Sequence, residues 1–257
     1  MTDKKLTKNL APLKLTLATI SALALAFLLS ACQNVASYTQ SSLARVIDAS
    51  AGSTALSVTV EGTPLAVNLG QGTISDYGTF AASQAAAIKL LATNDTTSTT
   101  LLSASAALTA GTHHSILITD STSSSSGYAI SILADQHTSA ATGHSTFRFI
   151  NQASTTGAVD IYVVPSSSTL AKSTALVSDL AVGATPTYVS FTSETVTIVV
   201  VATGTDVTTT TTTTTTDSSL YTSDSLALTG GEVRTVLLVN SKLTSGAIDG
   251  HIADDMN

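Results

Sequence analysis

Two kinds of apolar pattern divide the chain. Leu15 to Leu29 is apolar apart from Thr16, Thr19 and Ser21, and it follows a basic front of Lys4, Lys5, Lys8 and Lys14. From about residue 43 onward, short β-branched runs alternate with Gly, Ser, Asn and Asp, the pattern of half-buried strands rather than helices. In Val159-Asp160-Ile161-Tyr162-Val163, the residues Val159, Ile161 and Val163 share one face and point toward a core. The periodicity predicts strands near 43–48, 55–60, 64–69, 74–80, 85–92, 99–108, 113–119 and 128–134. A second series is predicted near 147–151, 158–163, 174–180, 186–191, 194–202, 219–228, 233–240 and 247–253. Seven or eight strands in roughly 100 residues predict an all-β fold of antiparallel, Ig-like sandwiches, with sequential hairpins as the simplest connectivity.

The two series are copies of one unit. Ala44-Arg45-Val46-Ile47-Asp48 returns as Phe147-Arg148-Phe149-Ile150-Asn151, and Ala55 to Val60 returns as Ala158 to Val163 at the same offset. Ser75-Asp76-Tyr77 matches Pro186-Thr187-Tyr188, and Ala92-Thr93 matches Ala202-Thr203. Leu108-Thr109-Ala110-Gly111 matches Leu228-Thr229-Gly230-Gly231, and Leu133-Ala134-Asp135 is matched to Ile252-Ala253-Asp254. Collinear self-similarity of this kind marks tandem repeats. The expected organisation is a signal peptide at 1–31, a tether at 32–42, one sandwich at 43–136 and a second at 145–257. The second copy gains its extra length in the threonine run Thr208 to Thr216, between two predicted strands. Loop tips tolerate such growth. Codon slippage, a glycosylated or adhesive tip and a longer projecting hairpin all remain open as its origin.

Composition narrows the partners. The chain carries a net charge of −7. Four of its ten basic residues and one of its seventeen acids lie before residue 32, which leaves six against sixteen, a net −10, for the remainder. A surface this acidic argues against nucleic acid, whose affinity comes from neutralised phosphates. It argues equally against charge-driven binding to anionic headgroups. The acids are scattered and form no EF-hand spacing.

The apolar run and the single cysteine belong together. A run of fifteen residues is short for a bilayer span of ~20 residues, and a basic front before a short apolar core makes a signal peptide. Leu29-Ser30-Ala31-Cys32 resembles the lipobox of bacterial lipoprotein precursors. That resemblance implies diacylglyceryl transfer to the Cys32 sulfur, cleavage before Cys32 and acylation, palmitate included, of the new amine. An anchor of several chains holds firmly, each buried CH₂ contributing ~0.8 kcal/mol. Gln33 in place of Asp resembles the pattern routed to the outer membrane in Gram-negative cells. The expected location is therefore the cell envelope, with the membrane as partner through the lipid on Cys32.

The repeat also resembles a family. Arg148, Asn151, Ala153, Ser154, Val159, Asp160, Ile161 and Tyr162 in the second copy are similar to the motif of the bacterial domain-of-unknown-function family 4397. The first copy matches at Arg45, Ala49 and Ser50, with Ser57 and Thr59 where the motif has Asp and Tyr. Tyr77 and Tyr188 match the later tyrosine of that pattern, and Leu108 to Gly111 and Leu228 to Gly231 match its later turn. Both copies lack the Pro-Asp-Ala-Pro stretch. The resemblance implies a fold and an exported or surface location, with no catalytic residues to carry over.

Candidate chemistry is sparse. Arg45 and Arg148 stand at equivalent positions in apolar strands and read as structural arginines, Arg148 pairing with an acid such as Asp160 across the sheet. His113 is expected to face the core and His114 solvent. His137 and His144 lie between the copies, where they could meet. Asp254-Asp255 reads as a frayed terminus. No nucleophile elbow or zinc spacing is present. The expected function is a non-enzymatic envelope lipoprotein, a structural or protein-interaction module needing no cofactor or metal. The alternative is a carbohydrate or small-ligand binder using the sandwich loops, so the expected partner is an envelope protein or a glycan.

Overall fold

The computed structural model of the chain describes residues 40–52, 55–93, 98–184, 187–207 and 218–256. The expected signal peptide, Cys32 and the threonine run lie outside the described residues. From Gln40 the chain forms one compact unit whose regular secondary structure is nearly all strand.

The first sandwich contains β1 (Ser41–Asp48), β2 (Leu56–Val60), β3 (Thr63–Leu69), β4 (Gly78–Ala81), β5 (Ser83–Thr93), β6 (Ser98–Leu108), β7 (His113–Asp120) and β8 (Tyr128–Asp135). One sheet runs β4-β1-β7-β8 and the other β3-β2-β5-β6. The second sandwich contains β9 (His144–Gln152), β10 (Val159–Pro165), β11 (Val177–Leu180), β12 (Tyr188–Thr192), β13 (Thr195–Ala202), β14 (Ser219–Thr222), β15 (Leu226–Ala227), β16 (Val233–Asn240) and β17 (Ile248–Asp254). Its sheets run β12-β9-β16-β17 and β11-β10-β13-β14, with β15 also on β13. Two boundaries differ from expectation. Ser41 and Ser42, expected in the tether, already pair with β4, and β9 begins at His144.

The predicted hairpins β2–β3, β5–β6 and β7–β8 form, but sequential hairpins are not the whole connectivity. β1 pairs with β7 in parallel, and β9 with β16 likewise. Each sandwich therefore has one mixed sheet and one antiparallel sheet. The physical reason is burial on both faces. β1, β7, β9 and β16 are buried along nearly their whole length, and continuous apolar runs suit strands covered on both sides.

Alternation sorts these side chains. Ala44, Val46, Ile116 and Ile118 enter the first sandwich core with Leu56, Val58, Ile88 and Leu90. Phe147, Phe149, Val236 and Leu238 enter the second with Val159, Ile161 and Ile198. The opposite faces of the same strands meet each other. Ile47, Ala49 and Leu117 from the first sandwich pack with Ile150, Leu237 and Val239 from the second. The seam between the sandwiches is therefore a third apolar layer, and the two arginines lie on its face.

Candidate functional site

Arg45 and Arg148 sit two positions before Ile47 and Ile150 of the seam, so strand alternation turns them to the same face. Both are 1% exposed. Burying a cation without partners is very costly, and each arginine finds its carboxylate on the other sandwich. Arg45 Nη2 donates to Asp255 Oδ1 at 2.5 Å. Arg148 Nη2 lies 2.8 Å from Asp135 Oδ1 as an ion pair. The second-nearest carboxylates lie at 3.8 Å (Arg45 to Asp135) and 4.0 Å (Arg148 to Asp255). Two cations and two anions make the cluster neutral.

The surrounding hydroxyls obey the same pseudo-twofold. Ser115 lies beside Arg45 on β7, and Thr235 beside Arg148 on β16. Ser115 Oγ donates to Asp135 Oδ2 and Thr235 Oγ1 to Asp255 Oδ2, each at 2.7 Å. Each hydroxyl accepts from its own arginine's Nε, at 2.9 Å and 3.1 Å. Tyr77 donates to Asp135 Oδ2 at 2.6 Å and Tyr188 to Asp255 Oδ2 at 2.5 Å. Arg45 stacks 4.8 Å over the Tyr77 ring, and Arg148 4.9 Å over that of Tyr188. Arg45 Nη1 donates to the Asp254 carbonyl, closing its fork.

Electrostatics follow from this geometry. Burial alone would lower the Arg45 pKa; Asp255, Tyr77 and Asp135 outweigh it and hold the guanidinium charged. Burial and Asp135 push the Tyr77 phenol well above its ordinary range, against the opposing pull of Arg45. Tyr188 is raised chiefly by burial, with Arg148 opposing and Asp255 adding. Both phenols stay protonated donors.

Several expectations are corrected. Arg148 does not pair with Asp160. That carboxylate instead accepts Asp179 N–H at 2.8 Å, Gly204 N–H at 3.2 Å and the Thr203 hydroxyl at 3.3 Å, steadying the irregular register of β11, where Asp179 has φ +53°. The Asp254-Asp255 end is not frayed, because Asp255 is 0% exposed. Both histidine orientations differ from expectation. His114 is buried, its Nε2 accepting from Thr109 N–H and lying 2.8 Å from the Thr112 hydroxyl. His113 faces the seam and stacks between Tyr77 and His137. His137 thus meets His113, while His144 turns to the Thr142 carbonyl. Among the described residues, no three His, Cys, Asp or Glu side chains converge as a metal-ligand set.

Asp135 and Asp255 were missed as a pair because the last repeat match slipped by one residue. The offset of 120 that relates Gly111 to Gly231 also relates Ser115 to Thr235 and Asp135 to Asp255. Extending it would have aligned the two acids. Strand registry carries the same relation, since β7 and β16 hold Asp135 and Asp255 at equivalent ends.

The class defined by this geometry is an all-β protein of two sandwiches locked by reciprocal arginine–aspartate pairs. Residues 42–162 match the family model of a domain of unknown function (DUF4397), so the chain carries the resemblance read from its motifs. The matched segment contains the first sandwich from Ser42 onward and continues through β9 into β10. It therefore includes both arginines, Tyr77, Ser115 and Asp135. No curated protein matches the chain.

Proposed function

We propose that the chain is a non-enzymatic envelope lipoprotein, anchored through lipid on Cys32, whose paired sandwiches act as a structural or protein-interaction module. The observation that carries this reading is where the repeated charged residues go. Arg45, Arg148, Asp135 and Asp255 are turned against one another with side chains 0–1% exposed, so they stabilise a rigid body and offer no charge to a solute. The lipobox resemblance at Leu29 to Cys32 supplies the anchor, and Gln33 the outer-membrane routing in a Gram-negative cell. The test is metabolic labelling with palmitate followed by membrane fractionation, comparing wild type with Cys32→Ser. Label and outer-membrane recovery should both be lost in the variant. Protease shaving of intact cells then reports which side the sandwiches face. Unlabelled wild-type protein would refute the anchor.

A second reading, small-ligand binding, is favoured by a hollow of about 170 Å³ at one side of the second sandwich. Val163, Leu176, Phe191 and Val196 make its apolar wall, with Glu194 at its rim. A thermal-shift screen with glycans and cell-wall fragments tests it, because a ligand that binds only the folded state raises the melting temperature.

A further inference from the structure

The ends of the four sheets are not equally protected. An edge strand presents unpaired N–H and C=O groups, and proteins blunt such edges with charge, proline, bulges or brevity. β3 carries Pro64. β4 and β11 have four residues each and β12 has five. β17 contains Asp249 and Asp254. At β8, Arg148 engages the Ala134 carbonyl and Asp135. β6 is different. It has 11 residues, Ser98 to Leu108, with no charge and no proline, and among the described residues it pairs with β5 alone.

The strand in the corresponding place of the second sandwich is broken into β14 and β15. Ser223 makes the break, its Oγ accepting the Ile198 N–H, and Asp224 follows it. One copy of the unit thus carries an interrupted, charged edge and the other a continuous, neutral one. β6 bulges at Leu101, and its register with β5 is regular from Leu102 to Ala106.

We propose that β6 is a self-association edge, adding antiparallel to β6 of a second copy of this chain about a twofold axis at Ala104. A twofold contact presents one patch to itself, so in a chain of net charge −7 it requires a surface free of like charge. β6 meets that requirement. Centring on Ala104 pairs the whole regular stretch and sets Ser103 of one copy opposite Ser105 of the other. Both serines are exposed. Strand addition of this kind takes its affinity from main-chain hydrogen bonds and its register from the facing side chains. The assignment names a partner for the interaction module proposed above and stands apart from the anchor at Cys32.

The test is analytical ultracentrifugation of the full chain in detergent across a concentration series. Wild type forms a dimer. In S103E/S105E, carboxylates face carboxylates across the axis, and the dissociation constant rises about tenfold or more. In S103E/S105K, each carboxylate faces an ammonium, and the dimer returns to near wild-type strength. Lys89, opposite Ser103 on β5, tolerates a carboxylate at 103 in either variant, and circular dichroism checks that both fold. A monomeric wild type overturns the proposal. So does a dimer indifferent to S103E/S105E, which would use another surface. A monomer that instead captures an extended synthetic peptide at β6 also overturns the assignment to a second copy. Palmitate labelling is unaffected by any of these outcomes, so failure here and failure of the anchor are distinguishable.

Discussion

Arg45→Met tests the seam most directly. The substitution keeps the aliphatic stem and deletes the charge. It removes donors to Ser115 at 2.9 Å, the Asp254 carbonyl at 3.0 Å, Thr235 at 3.1 Å and Asp255 at 2.5 Å, together with the cation over Tyr77. Asp255 remains buried. Its Oδ2 keeps the hydroxyls of Tyr188 and Thr235, its Oδ1 loses the Arg45 donor, and Arg148 stands 4.0 Å away. Removing one partner of a buried pair costs about 3–5 kcal/mol, because the other charge is left uncompensated. The two retained hydroxyls and Arg148 place this variant near the low end, at about 3 kcal/mol. Against a typical total of about 5–15 kcal/mol, that is a large fraction. Asp255→Asn alone should also destabilise. The double variant should fall short of the sum by about 2 kcal/mol, since neither charge is then orphaned.

Urea is the appropriate denaturant, being uncharged, with far-UV circular dichroism and tyrosine fluorescence as independent probes. Because the cluster couples the sandwiches, wild type should unfold in one transition, while Arg45→Met should separate the two probes. The cycle Arg148→Met with Asp135→Asn should repeat both results. A loss under about 1 kcal/mol for Arg45→Met would refute the reasoning, as would additivity within about 0.5 kcal/mol.

Three further outcomes follow from the same geometry. Tyr77 and Tyr188 stay protonated in the fold but ionise near 10.0 when unfolded; the unfolded state then binds fewer protons, so stability falls as pH rises above that value, by about 1.4 kcal/mol per pH unit for each phenol. Urea midpoints across the alkaline range should show that slope, reduced in Tyr77→Phe/Tyr188→Phe. His114, whose pKa is lowered from 6.5 by burial against the partial offset of Asp135, has the opposite sense; the unfolded state binds the extra proton, so stability is lost as pH falls through 6.5, and His114→Gln should flatten that limb. Gly72→Ala should cost about 1–3 kcal/mol, because Gly72 has φ +87° and an added Cβ would lie 2.2 Å from His251 Nε2; Gly62→Ala, at φ +79° with open space around it, should cost less in the same melt.

How much was legible depended on the range of the interaction. Strands were legible because period-two burial is local: β7 and β16 fall within a residue or so of their expected spans. The predicted strand at 219–228 was too long, because the Ser223 hydroxyl takes over an N–H that the ladder would otherwise use. The parallel β1–β7 pairing was not legible, since nothing local distinguishes a strand buried on both faces by one sandwich from one buried by two. The arginines were legible as structural residues because their setting is apolar. Their partners were not, because Arg45 and Asp255 are 210 positions apart and the acids come from opposite copies. Cross-strand reasoning offered Asp160, which lies near in sequence but is taken up by Asp179 of β11 and by Thr203 and Gly204.

The pseudo-twofold also separates what the two copies share from what each holds alone. Ser115 and Thr235, Tyr77 and Tyr188, Asp135 and Asp255 perform one task twice, and that task is internal to the fold. Substituting any of them should act on stability first and on partners only through it. The surfaces where the copies differ obey a different constraint. β6 is continuous where β14 and β15 are broken, and the second copy alone carries the threonine insertion. Divergence between copies of one unit is tolerated where packing does not enforce identity, and an outward edge or loop is such a place. Substitutions that alter partner binding without moving the urea midpoint should therefore fall on those divergent elements, with Ser103 and Ser105 the first positions to examine.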